Sequence, residues 1–154
     1  MLSKIYKHLF DRDYMSGVER EKARVKANGE VFTPTALVEQ TLDQLDSSVF
    51  NSNKTVLDPS CGDGQFLASV LYRKLQNGIE FDVALGSIYG VDLMQDNVEL
   101  CRERLLCGRE DLRYIVEQNI VCADAMRYHY RFDGSEPYDE DFKETIFQNL
   151  FKIG

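Results

Sequence analysis

Thr55-Val56-Leu57-Asp58-Pro59-Ser60-Cys61-Gly62-Asp63-Gly64-Gln65-Phe66-Leu67 is a short apolar run that breaks into an Asp-Pro and two glycines before a second apolar segment begins. The pattern reads as a strand, a tight turn and a helix start. Gly62 and Gly64 remove the side chains that would hold a ligand away from the backbone, while Asp58 and Asp63 set carboxylates beside exposed amides. A small, partly cationic ligand suits such a turn better than a bare phosphate.

Working outward, the pattern alternates. The turn is followed by a helix from Gln65 to about Gln76, stopped by Asn77-Gly78, then a strand over Ser87 to Val91. A helix from Gln95 to about Leu106 and a strand over Ile120 to Cys122 complete the series. Such alternation predicts an α/β fold with right-handed crossovers and a parallel sheet flanked by helices, its ligand at the carboxyl ends of the strands. Asp58, Asp92 and Asp124 then end three successive strands and line one crevice.

Upstream, Leu2, Ile5, Leu9 and Phe10 recur at helical spacing, and a charged stretch from Val18 to Ala27 also reads as helix. Thr33 followed by Pro34 is a good N-cap and first-turn pair for a helix carrying Leu37, Val38, Leu42 and Leu45 on one face and ending near Ser47. Downstream, Tyr128, Tyr130 and Phe132 alternate with His129 and Arg131 as in a short strand, followed by an acidic loop from Asp133 to Asp141. A last helix carries Phe142, Ile146, Phe147, Leu150 and Phe151 as an apolar stripe, suited to the core or to docking on a partner. The expected division is a helical extension over 1–28, an α/β domain over 29–127, and an acidic loop with an amphipathic helix over 128–154.

Composition bounds the class. With 154 residues and 44% hydrophobic content the chain suits a globular unit with a real core. No apolar run approaches the roughly 18 residues of a membrane span, and the first residues lack the apolar stretch of a secretory signal, so the expected compartment is the cytoplasm. The four cysteines, Cys61, Cys101, Cys107 and Cys122, form no C-x-x-C pair and stand near no histidines at ligand spacing. They read as free thiols, and no metal is expected. Cys61 lies in the turn and invites a nucleophile reading, but neither His8 nor His129 is obviously its base, and a small packing residue serves as well.

Net charge is −8, the wrong sign for a chain that grips a phosphate backbone over its whole surface. Its distribution is uneven. From Met1 to Asn28 seven Lys or Arg stand against four acids, whereas from Asp133 to Glu144 six acids face one lysine, Lys143. A bound nucleic acid would approach the N-terminal end, although a basic stretch is also what the solvated face of a helix looks like.

The glycine turn is not the dinucleotide fingerprint, because Gly62-x-Gly64 is followed by Phe66 and Leu67 where a third glycine would stand. In context it describes another nucleoside. A carboxylate ending the second strand can accept both ribose hydroxyls, one after the third can accept an adenine amine, and acids in the first turn favour an ammonium. Together these describe S-adenosylmethionine.

The same segments resemble the cofactor-binding motifs of the adenine-N6 DNA methyltransferases: Phe32-Thr33-Pro34, Leu57 to Leu67, Tyr89-Gly90-Val91-Asp92-Leu93 and Cys122-Ala123-Asp124-Ala125. In style the chain is similar to the methylation subunits of type I restriction-modification systems. The resemblance covers Asn28 to Arg127 and implies a truncated Rossmann-like methyltransferase fold. It implies that Phe32, Thr33 and Pro34 cover the cofactor near its methionine end and that the turn bearing Asp58, Pro59, Cys61, Gly62, Gly64 and Phe66 cradles that end. Asp92 and Leu93 would hold the ribose side, and Asp124 and Ala125 would meet the adenine. Family members also carry an Asn or Asp followed by Pro-Pro and an aromatic, which grips the flipped target base. This sequence has none; its closest stretch is Asp133-Gly134-Ser135-Glu136-Pro137-Tyr138, where Pro-Tyr follows a serine and a glutamate rather than an amide and a proline. The expectation is therefore a cofactor-binding module that needs a partner, either a second copy or another subunit, to complete the sheet and supply the catalytic loop and DNA recognition. The alternatives are an inactive methyltransferase-like binding protein and an enzyme that degrades the cofactor.

Overall fold

The computed structural model describes residues 1–11 and 33–141. Phe32, the charged stretch from Val18 to Ala27 and the apolar stripe from Phe142 onward lie outside the described residues.

An apolar run at the sheet centre and amphipathic segments on either side give three parallel strands in the order β1-β2-β3, namely β1 Val56–Asp58, β2 Ile88–Asp92 and β3 Ile120–Cys122. Register sets Leu57 against Tyr89 and Asp58 against Gly90, then Gly90 against Ile120 and Asp92 against Cys122. Around them run α1 Leu2–Phe10, α2 Thr35–Leu42, α3 Gln65–Gln76, α4 Phe81–Gly86, α5 Gln95–Leu106 and α6 Arg113–Asn119. The chain is thus α/β with a truncated Rossmann-like sheet, as the alternation predicts, and the helices Gln65–Gln76 and Gln95–Leu106 and the strand Ile120–Cys122 have the expected bounds.

Strands added always in one direction through right-handed crossovers place every crossover helix over the same face. That face carries Val56, Ile88 and Ile120, which pack with Leu67, Leu71, Ala84, Leu85, Val98, Leu105 and Val116 in the main core. Leu9 of α1 is fully buried in the same core, with Ile5 and Phe10 against it. The opposite face, bearing Tyr89, Val91 and Val121, is covered instead by an aromatic loop: Tyr128, Phe132 and Tyr138 pack on Val91 and Ala123, and the Tyr89 and Phe132 ring centroids lie 4.8 Å apart.

Three local expectations are corrected. Tyr128, Tyr130 and Phe132 form no strand, because Tyr130 and Phe132 take left-handed φ values of 55° and 48°, which break extended pairing and turn all three rings into one cluster. Thr33 does not cap α2: Pro34 stands at the cap position, its carbonyl receiving the Leu37 and Val38 amides, and no side chain caps the helix. Of the apolar residues assigned to that helix only Val38 and Leu42 are buried; Leu37 and Leu45 are exposed, and the helix stops at Leu42.

β1 is an edge. Val56 donates to the Ser87 carbonyl at 2.9 Å, so by the alternation of a parallel ladder the N–H and C=O of Leu57 face away from β2. Among the described residues no strand pairs with them, and the Leu57 side chain is 45% exposed.

Candidate functional site

The crevice begins where β1 ends. Asp58 Oδ1 accepts the Ser60 amide at 3.0 Å, an Asx turn that bends the chain back toward β2. The Cys61 amide then donates to the Val91 carbonyl at 2.9 Å, and the Gly64 amide donates to the Cys61 carbonyl at 2.8 Å. Gly64 closes the turn at φ +91° and starts α3, a backbone conformation that favours glycine. Space demands glycine as well: a Cβ there would lie 2.8 Å from the Cys101 sulfur, and one on Gly90 would lie 2.9 Å from both the Cys61 sulfur and Leu67 Cδ1. The turn is therefore pressed onto α5 and β2 with no slack for a methyl group.

Asp92 ties this turn to the second strand. Its Oδ2 accepts the Gly62 amide at 3.0 Å, thirty residues away in sequence; its Oδ1 accepts the Met94 amide at 2.9 Å and Asn97 Nδ2 at 3.2 Å. A carboxylate offers about four acceptor positions, so one side of Asp92 remains open to a further donor. Asn97, buried on α5, joins the candidate site through its bond to Asp92, and sequence reasoning missed it. Its signal was available, an amide in the first turn of the helix after an acidic strand end, but its partner is defined only by the fold.

Asp58 stands beside this pair. Burial pushes its carboxyl above the usual carboxylate range, the Ser60 amide opposes the shift, and the nearby Asp92 charge adds to it. Its second oxygen takes no hydrogen bond among the described residues. A half-buried carboxylate with spare acceptor capacity and a second carboxylate nearby is an environment that favours a cation.

Asp124 lies two residues beyond the end of β3. It is joined to the crevice through its neighbour, since the Ala123 amide donates to the Asp92 carbonyl at 2.9 Å. Its carboxylate accepts the Met126 amide at 2.9 Å and pairs with Arg127 Nε at 3.5 Å, partly exposed. Its own amide donates to the Tyr138 hydroxyl at 2.8 Å, and the Tyr130 hydroxyl donates to the Ala125 carbonyl at 2.7 Å. The aromatic loop thus holds the Asp124–Ala125 turn in place. Tyr130 and Tyr138 bear on the candidate site with no signal in the local sequence, and Pro137-Tyr138 folds onto the β3 side of the sheet.

The other expected residues divide. Leu93 follows Asp92 and is 61% exposed, with Met126, also exposed and apolar, just after Ala125. Pro59 is exposed on the turn, whereas Phe66 points into the main core. Thr33 and Pro34 precede α2, which packs on α3, and no hydrogen bond among the described residues joins them to the glycine turn. Cys61 is buried, its thiol donating to the Gly62 carbonyl at 3.7 Å, and the neighbouring Cys101 thiol and then burial push its titration far up. That environment disfavours a nucleophilic thiolate and supports the packing role. All four cysteines are free, and no cluster of potential metal ligands occurs among the described residues.

The fold and this crevice define a Rossmann-like α/β protein whose turns converge at the carboxyl ends of β1, β2 and β3. A family model for N-6 DNA methylases matches residues 3–135. The chain belongs to the N-6 DNA methylase family, a group that generally uses S-adenosylmethionine. No curated protein and no solved structure matches it. Among the described residues no helix is long and apolar enough to cross a membrane.

Proposed function

We propose that this chain is the S-adenosylmethionine-binding module of a cytoplasmic DNA adenine-N6 methyltransferase of the restriction-modification type, and that a partner supplies the catalytic loop and DNA recognition. The single observation carrying the reading is the convergence of the glycine turn with Asp58 and Asp92, joined by the Gly62 amide on the Asp92 carboxylate. The residues suit the cofactor. Asp58, raised by burial, gains most from a neighbouring ammonium or sulfonium; the positive end of α3 favours the methionine carboxylate; Asp92 has acceptor capacity left for a ribose hydroxyl. Leu93 and Met126 offer apolar surface for an adenine near the Asp124–Ala125 turn.

Bound cofactor would supply an electrophilic methyl group. The chain's own contribution is orientation, since an in-line transfer to an amine needs no protein nucleophile. The unpaired edge of β1 and the exposed Leu57 beside it are where a second copy or another subunit would extend the sheet. DNA would then meet the module through that partner.

A second reading is a binding protein without catalysis, favoured by Pro137-Tyr138 lying against β3. Calorimetry with S-adenosylmethionine tests the site, and labelled methyl transfer to DNA, with and without candidate partner chains, tests the chemistry. Binding with partner-dependent transfer supports the first reading, and binding without transfer under all conditions supports the second. No binding at millimolar cofactor would refute both.

A further inference from the structure

Arg104 is a cation with no exposed surface, set on α5 behind the glycine turn. Its Nε donates to the Leu9 carbonyl at 2.8 Å, one of the last-turn carbonyls that a helix leaves without an internal donor. Its Nη2 donates to Gln65 Oε1 at 2.9 Å, and its Nη1 lies 3.4 Å from the Asp63 carbonyl and 3.6 Å from the fully buried Asp63 carboxylate. Asp63 and Gln65 flank Gly64, the residue whose left-handed backbone forms the turn. One planar fork therefore joins the end of α1 to both neighbours of the central glycine, across 95 residues of sequence on one side and about 40 on the other.

We propose that Arg104 is a positioning residue that couples the seating of α1 to the shape of the glycine turn, so that docking of the N-terminal helix and occupation of the cofactor site favour one another. This rests on the cofactor reading above. A guanidinium has its donors in fixed directions, so displacing one acceptor forces the fork to rotate and withdraws donors from the others. Burial removes the water that would otherwise replace a lost partner. α1 is also held by Leu9 in the core, by His8 Nε2 at 3.4 Å from the Glu103 carbonyl, and by the Tyr6, Phe10 and Tyr72 rings with centroids 4.9 to 5.9 Å apart, the ring contacts involving no residue of the turn. α1 can thus be loosened from outside, through the half-exposed Tyr6, and the response read at the turn. Linkage makes the effect reciprocal: whatever seats α1 tightens the cofactor, and the cofactor tightens α1.

The test uses the full chain as wild type, Tyr6→Ala, Arg104→Lys and the double variant. Amide hydrogen exchange is followed at Asp63 to Gln65, and S-adenosylmethionine affinity by calorimetry. Arg104→Lys keeps the charge but cannot span the fork. Tyr6→Ala should speed exchange at the turn about tenfold and weaken the cofactor about fivefold, and both effects should vanish in the Arg104→Lys background. Equal effects of Tyr6→Ala in both backgrounds, or none in the wild type, would overturn the coupling. A wild type that ignores the cofactor refutes the cofactor reading alone, because exchange at the turn still decides the coupling. Should Arg104→Lys fail to fold, Tyr6→Ala decides: accelerated exchange at Gly64 with the rest of the core protected supports the proposal, and unchanged exchange there refutes it.

Discussion

Replacing Gly64 with alanine tests whether the turn is pressed against α5 as tightly as the structure has it. Two costs are separable. At φ +91° and ψ 29° an L residue sits outside the comfortable left-handed region, which costs about 1–2 kcal/mol. The added Cβ would also lie 2.8 Å from the sulfur of Cys101, a fully buried residue in mid-helix with no room to swing aside, and such overpacking costs about 1–3 kcal/mol. Gly64→Ala should therefore lose about 2–5 kcal/mol, a large share of the roughly 5–15 kcal/mol that holds a domain together. Equilibrium urea unfolding followed by circular dichroism measures the loss. In a Cys101→Ala background the sulfur is gone and the nearest remaining atoms stand at 3.6 Å, so the same substitution should cost only the backbone share of about 1–2 kcal/mol. A loss below about 1 kcal/mol in the wild type, or equal losses in the two backgrounds, would refute the close contact and with it the account of why glycine stands there.

Asp92→Ala should weaken S-adenosylmethionine by about 2 kcal/mol, roughly thirtyfold by calorimetry, because charge-assisted hydrogen bonds to the ligand and to Gly62 are lost together; unchanged affinity would remove Asp92 from the site. Asp58 carries a pH signature. Its folded carboxyl titrates above the ordinary value, so its contribution to stability is complete below the ordinary carboxylate range and is lost as pH rises through the raised value. A cationic ligand reverses the preference, so cofactor affinity should fall as pH is lowered from about 7 toward 4, and Asp58→Asn should flatten that dependence in calorimetry. Gly90→Ala would set its Cβ 2.9 Å from Leu67 and from the Cys61 sulfur and should cost about 1–3 kcal/mol, read as a lowered thermal midpoint.

How far the sequence could be read follows from the range of the forces involved. Apolar periodicity, Gly62, Gly64, Asn77-Gly78 and the acids at strand ends act within a turn or two, and they specified on their own the strand-turn-helix series and the segments that carry Asp58, Asp92 and Asp124. The short helices Phe81–Gly86 and Arg113–Asn119 were not legible, being too brief to show a period; their burial against each other and β2 supplies what propensity does not. Nor was the aromatic loop: alternation suggested a strand, but burying three rings on one uncovered sheet face prevailed, at the expense of two left-handed backbones. Only tertiary structure decided which groups meet. Whether the Gly62 amide reaches Asp92, whether Asp58 is shielded enough to titrate above the usual carboxylate range, and whether Arg104 spans Leu9 and Gln65 depend on strand register and helix packing between distant segments, which no local pattern encodes.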